Sequence, residues 1–196
     1  MQMASAHTYG REMRAHLKTV RPEVLLLPEN GRMPNSHLPV LIYRAAMRGE
    51  DLESDFKKVF HANRWGGTWA LGVYGFHHFH SNAHEVLGVA SGSARLQLGG
   101  DGTEPIEVEK GDVIVLPAGT GHRRIRDSWD FWVVGAYPRG QEKYDEYLDK
   151  AMCGNCRLRL RAVQLPDADP LYGNDGPLTK LWRAGNSFHK RARIKG

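Results

Sequence analysis

His78 and His80 stand two residues apart, Glu85 follows shortly after them, and His122 comes further along the chain. On a β-strand, residues i and i+2 face the same side, so the first two imidazoles can address one ligand together. A short turn can return the Glu85 carboxylate to that face. His122 has to arrive from a neighbouring strand, delivered by the turn at Pro117-Ala118-Gly119. Three neutral nitrogens and one carboxylate suit a single divalent transition metal ion, namely Fe, Mn, Ni, Cu, Co or Zn. Around an octahedral ion, four protein ligands leave two positions for water, oxygen or substrate. That is the layout of a catalytic centre.

Parity assigns the neighbours. Tyr74 and Phe76 share it with His78 and His80 and are expected to line the pocket. Arg124 and Arg126 share it with His122, so an undisturbed strand points both inward. A guanidinium beside a metal is a bidentate partner for a carboxylate or phosphate. Tyr74, Arg124 and Arg126 are therefore candidate substrate contacts for an anionic small molecule. The alternative for the arginines is an ion pair with a nearby Asp or Glu, or a bulge that turns them outward. His77 and His84 have the opposite parity and are expected to face away, in surface or interface packing. Cys153-Gly154-Asn155-Cys156 has the spacing of zinc knuckles and thioredoxin-like sites. Two further zinc ligands and a βαβ unit are both missing nearby, so the pair reads as two ordinary thiols at a helix end.

The elements that must hold these groups are mostly strands. From Trp69 to Tyr137 short β-rich runs alternate with Gly-rich turns, at about 69–79, 84–90, 94–98, 105–109, 112–117, 122–126 and 131–137. Ala94, Leu96 and Leu98 alternate with Arg95 and Gln97, the period of a strand with one buried face. Gly99-Gly100-Asp101-Gly102 reads as a hairpin turn. Upstream, Leu52, Phe56, Val59 and Phe60 form one stripe of a helix over 50–61. Its acidic residues come first and its lysines later, as the helix dipole favours. Residues 1–20 show a weak helical pattern, and the apolar runs 24–28 and 39–43 suit strands or extended arms. Beyond Pro138 the pattern predicts a helix near 141–152, an Arg-rich strand near 157–164 and a Pro/Gly-rich tail ending near Trp182.

The 196 residues are 41% hydrophobic and 25% charged, ordinary for one globular domain. A core over about 65–140 would carry an N-terminal arm and helix over about 1–64 and a C-terminal helix and arm over about 141–196. No apolar run is long enough for a membrane span, and the N-terminus lacks the basic start and apolar core of a secretory signal. Cytoplasmic residence is the expectation. The net charge of +5 is concentrated in Arg157, Arg159 and Arg161 and in the tail from Lys190 to Lys195. That tail could serve a polyanion, but no nucleic-acid motif accompanies it, and a solvated end is the plainer reading.

The motif G-x5-H-x-H-x3,4-E-x6-G is met by Gly72, His78, His80, Glu85 and Gly92. The motif G-x5-P-x-G-x2-H-x3-N is met by Gly111, Pro117, Gly119 and His122, with Arg126 in place of the Asn. These resemble the two motifs of the cupin superfamily. The stretches His77–Gly88, Leu116–His122, Gly135–Pro138 and Asp169–Gly173 are similar to the YjlB-type bacterial cupins. The resemblance implies an all-β double-stranded β-helix, a jelly-roll barrel with an N-terminal helical region and a C-terminal helix or arm, holding one metal ion. It also implies exchange of the apolar arms in a homodimer. Two functions are consistent with this: a metal-dependent enzyme, oxygenase-like or isomerase/lyase-like, on a small anionic organic compound, and a non-catalytic metal or small-ligand binding protein. A polyanion-binding protein using the basic tail is a third.

Overall fold

The computed structural model describes residues 16–192. Its strands are β1 Glu23–Leu25, β2 Val40–Tyr43, β3 Trp65–Leu71, β4 Glu85–Ser91, β5 Ser93–Leu98, β6 Ile106–Glu109, β7 Val113–Leu116, β8 His122–Asp127 and β9 Trp132–Pro138. They form a sheet in the order β1-β2-β7-β4-β9-β3 and a second in the order β6-β5-β8. The pairings are antiparallel throughout these ladders, in the cupin double-stranded β-helix arrangement.

The large sheet is covered on both faces, which explains why β2 (VLIY) and β7 (VIVL) carry unbroken apolar runs instead of alternation. One face packs Ile42, Leu87, Val89, Ile114 and Val133 against Ala94, Leu96 and Leu98 of the small sheet. The other packs Leu41, Val86, Val115 and Val134 against two helices, α1 Leu52–Ala62 and α3 Pro177–Ala192. Helix α1 is capped by the Asp51 side chain, which accepts from the Ser54 N–H at 3.1 Å. Its predicted stripe of Leu52, Phe56, Val59 and Phe60 is buried. Phe56 lies so close to β4 that a Cβ at Gly88 would stand 2.8 Å from its ring. Among the motif glycines, Gly92 and Gly111 take φ values of +65° and +96° at the hairpins flanking β5 and β6. Only a residue without a Cβ adopts that backbone freely.

Several expectations are corrected. The strand expected at 69–79 ends at Leu71, and His78 and Phe79 instead make isolated bridges to His122 and Tyr147. The helix near 141–152 is absent: an irregular strap over 140–149 runs into a 3-10 turn, Lys150–Cys153. The Arg-rich strand near 157–164 is a helix, α2, Cys156–Ala162. Its alternating Arg and Leu mimic a period of two, but most of the segment is exposed, so no sheet enforces that period and helix propensity decides. The tail around Trp182 is helical, with Pro177 at the first position, where a missing N–H costs nothing. The runs at 24–28 and 39–43 contribute β1 and β2 to the large sheet of the chain itself. The helical pattern over 1–20 lies, for its first fifteen residues, outside the described residues. Among the described residues no helix is long and apolar enough to cross a membrane.

Candidate metal centre

Each predicted ligand sits where a strand begins or two backbones cross. Glu85 opens β4 and His122 opens β8. His78 and His122 exchange both backbone hydrogen bonds, at 3.2 and 3.0 Å, and the Gly119 N–H donates to the His80 carbonyl at 2.8 Å. The left-handed turn at Gly119 thus ties the second motif to the first. One ligand atom from each of His78, His80 and His122 lies within 4.8 Å of the other two, so the three could hold a metal ion. All three and Glu85 are buried.

Hydrogen bonding decides which nitrogen faces inward. Nδ1 of His78 lies 3.3 Å from the Phe76 carbonyl, Nδ1 of His122 lies 3.0 Å from that of Thr120, and Nδ1 of His80 lies 2.5 Å from that of Asp145. A carbonyl only accepts, so each Nδ1 carries a proton and each neutral ring turns the lone pair of Nε2 inward. Glu85 completes the cluster. Its Oε1 accepts from the Tyr137 hydroxyl at 2.8 Å, and that hydroxyl accepts from Trp69 Nε1 at 2.9 Å. Its Oε2 is buried without a hydrogen bond, 3.5 Å from His80 Nε2 and 3.3 Å from His122 Nε2. A desolvated carboxylate oxygen facing nitrogen lone pairs is costly unless a cation joins them. A divalent transition metal ion fits that requirement.

Burial works against charge on His80, yet Glu85 holds its imidazolium above the ordinary range. Burial likewise opposes the Glu85 charge, and His80 and His122 outweigh it, keeping the carboxyl well below the ordinary range. Burial, aided by His122, pushes His78 down to about 3.

A cavity of about 120 Å³ opens onto the cluster, with Trp69, Leu71, Val73, Leu87 and Tyr137 as walls and Tyr74, Tyr144 and Glu146 among its lining. A larger groove of about 880 Å³ runs between residues 26–37 and α2, but none of the four groups lines it, so the chemistry belongs to the smaller cavity.

Tyr74 lines the cavity as expected, half exposed, stacked on Phe76 and edge-on to His78 at 5.1 Å. Phe76 does not line it. Nor do Arg124, whose guanidinium stands 3.9 Å from where a Cβ at the lining residue Gly72 would lie, and Arg126, whose inward placement is corrected. Leu96 pairs with Arg124 and Arg95 with Arg126, so Ile125 is an extra residue in β8 and parity fails for Arg126, while Arg124 keeps the parity of His122. Arg124 pairs with Asp127, and the exposed Arg126 pairs with Glu107 at 3.2 Å. The His77 side chain is largely buried, with Nε2 3.3 Å from Gln97 Oε1. His84 is fully buried, contrary to expectation. Its Nδ1 accepts from the Ala118 N–H at 2.9 Å and its ring packs on Trp182. Cys153 and Cys156 are free and buried, and burial, with Cys153 beside it, pushes the Cys156 thiol up to about 12.

Sequence reasoning missed the residues around the ligands. Tyr137 was visible in Gly135-Ala136-Tyr137-Pro138 but carried no role. Tyr144, Asp145 and Glu146 were hidden by the helix expected at 141–152. The Asp145 carboxylate accepts from the Ser81 N–H and hydroxyl, both at 2.6 Å, and from Arg159 at 2.7 Å.

Comparison with known proteins agrees with this architecture. The family model described as "Cupin domain" matches residues 70–128. The chain is 33% identical over 162 residues to "Uncharacterized protein YjlB" of Bacillus subtilis (strain 168), covering 82% of this chain and 96% of that one. A Klebsiella pneumoniae protein with a double-stranded beta-helix domain aligns over 70% of this chain and 94% of its own, at 15% identity and a TM-score of 0.34. Acireductone dioxygenase from Bacillus anthracis aligns over 44% of this chain and 57% of its own, at 18% identity and a TM-score of 0.31. At such scores the solved structures carry no argument about chemistry. The identity to YjlB, which reaches well beyond the matched domain, does carry one about descent: the chain is a cupin of the YjlB-like group.

Proposed function

We propose that His78, His80, Glu85 and His122 hold one divalent transition metal ion and that the protein is a metal-dependent enzyme acting on a small organic compound, oxygenase-like ahead of isomerase- or lyase-like. The observation that carries this reading is the buried Glu85 Oε2, unpartnered and facing two Nε2 atoms. A bound ion supplies Lewis acidity and, where it is redox-active, electron transfer to oxygen. The chain's own groups do the rest. Three carbonyls fix the imidazole tautomers. Tyr137, itself held by Trp69, occupies Oε1 and leaves Oε2 to face the nitrogens. Trp69, Val73 and Leu87 keep the inner cavity apolar, which excludes water and strengthens every electrostatic contact inside it.

An anionic substrate was expected from the charge of the ion together with Arg124 and Arg126, and neither arginine is part of the cavity lining. Only the charge of the ion, offset by Glu85, still attracts an anion. The test is metal analysis of protein purified without added metal, then reloaded. About one equivalent in the wild type and its loss in Glu85→Ala and His80→Ala is the expected result. Failure of the wild type to take up any of the six ions refutes the reading. A bound compound that is never consumed would mark a non-catalytic binding protein.

A homodimer and a cytoplasmic setting complete the proposal. Strand β1 is a sheet edge, and Val24 and Leu26 are 52% and 65% exposed beside it. Unpaired apolar edges of this kind invite a second chain. Light scattering that gives a monomer mass at micromolar concentration would refute the dimer.

A further inference from the structure

The strap over 140–149 lies outside the residues matched to the cupin domain, yet it supplies part of the cavity lining. It is fixed against the ligand segment on both sides of Glu146. Tyr147 exchanges both backbone hydrogen bonds with Phe79 at 3.0 Å, and Asp145 holds Ser81. Tyr144 stacks on Tyr137 with centroids 4.3 Å apart and meets His80 edge-on at 4.8 Å. Glu146 is carried between these anchors as a lining residue. Among the described residues no Lys or Arg lines the cavity, and no ion pair involving Glu146 is formed. The nearby guanidinium of Arg124 is committed to Asp127.

These facts set the charge of the site. A divalent ion with Glu85 alone leaves one positive charge, and Glu146 offsets it at the cavity mouth. Glu146 is exposed there, so water screens its charge in part and the carboxylate acts on a ligand as it enters. We propose, resting on the metal-centre reading above, that the cavity selects a small uncharged or cationic compound with an apolar body and a neutral hydroxyl or carbonyl donor, and that Glu146 is the specificity residue that turns carboxylates away. A volume of about 120 Å³ limits such a compound to a handful of heavy atoms. The aromatic faces of Tyr137 and Tyr144 cover its apolar side.

The test uses the full-length protein loaded with cobalt(II), whose visible absorption reports ligands entering the site. Lactate and lactamide serve as probes, nearly equal in size and different by one charge. Glu146→Gln should strengthen lactate binding by about threefold to fivefold and leave lactamide within about 1.5-fold, because only the charged probe feels the exposed carboxylate. Arg124→Gln should leave lactate within about twofold, since that arginine serves Asp127 and not the ligand. A loss of about tenfold in Arg124→Gln would assign anion recognition to Arg124 and overturn the proposal. Equal effects of Glu146→Gln on both probes, or none on either, would overturn it as well. A normal cobalt band with an unchanged lactate-to-lactamide ratio defeats this proposal alone, whereas absence of stoichiometric cobalt uptake defeats the metal centre and this proposal with it.

Discussion

Tyr137 stands between an indole N–H and a carboxylate oxygen, and its ring would fit equally well without the hydroxyl. Tyr137→Phe therefore separates packing from hydrogen bonding. It leaves Glu85 Oε1 buried without a donor and free to rotate, so metal affinity should fall about 10–100-fold with the fold intact. A competition titration that finds unchanged affinity would exclude this role for the phenol. The histidines make the metal-free protein acid-sensitive. Burial pushes His84 down to about 3 and, with His122, does the same to His78. Below the ordinary value of 6.5 the unfolded chain takes up these protons first, so their effect on stability is nil above pH 6.5 and grows more unfavourable as pH falls toward 3. His80 acts oppositely: its raised value gives stability complete below pH 6.5 and lost as pH rises through the folded value. Below pH 6.5 the His80 contribution no longer changes, so His78 and His84 set the slope and thermal melts of metal-free protein should shift down steadily from pH 6.5 to 4. A flat profile would contradict the burial of these rings. The thiols need no such role, and Cys153→Ser/Cys156→Ser should retain a full equivalent of metal at the histidines.

The strap is the element whose loss should be felt most at the site. Asp145 alone makes two bonds to Ser81 and one to Arg159, while its carbonyl orients His80. Asp145→Ala should free 140–149, speed metal release and expose the segment to limited proteolysis, with little change in the two sheets. Equal protease resistance in mutant and wild type would mean that Tyr147 and Phe79 suffice as anchors. Under the sheet, the contact between α1 and β4 depends on the missing side chain of Gly88. Gly88→Ala drives a methyl group into the Phe56 ring, and such overpacking should cost about 1–3 kcal/mol, read as a lower urea midpoint.

At the scale of the molecule, one large sheet is packed against a small sheet on one side and helices on the other. Trp182 closes the outer layer. It is fully buried, its Nε1 donates to the Pro39 carbonyl at 2.9 Å, and its ring supports His84 next to the ligand Glu85. Trp182→Ala should cost about 3–5 kcal/mol and weaken metal retention together with stability. A variant that loses stability while holding metal normally would show that the outer layer does not brace the centre.

Much of this protein was legible in its residues, because the signals involved are local. The two-residue step between His78 and His80, the stripe of α1, the glycine turns around β5 and β6 and the two histidine motifs depend on backbone geometry that any regular strand, helix or turn supplies. The ligand-type residues were named on that basis. The rest was decided by what packs against what. Parity predicted inward arginines, and one extra residue at Ile125 turned Arg126 away while Arg124 was drawn to Asp127. Parity also predicted an outward His84, and the face it turned to was covered by α3 and Trp182. The segment 157–161 alternates like a strand, but no neighbouring ladder accepted it. The strap reads as a helix along the chain, and its irregular order comes instead from Asp145 reaching Ser81 and from Tyr147 pairing with Phe79, contacts more than sixty residues apart in sequence. Side-chain types and their spacing are written along the chain. Which lone pair is left without a partner, and which charge stands in the cavity lining, exist only once distant segments meet.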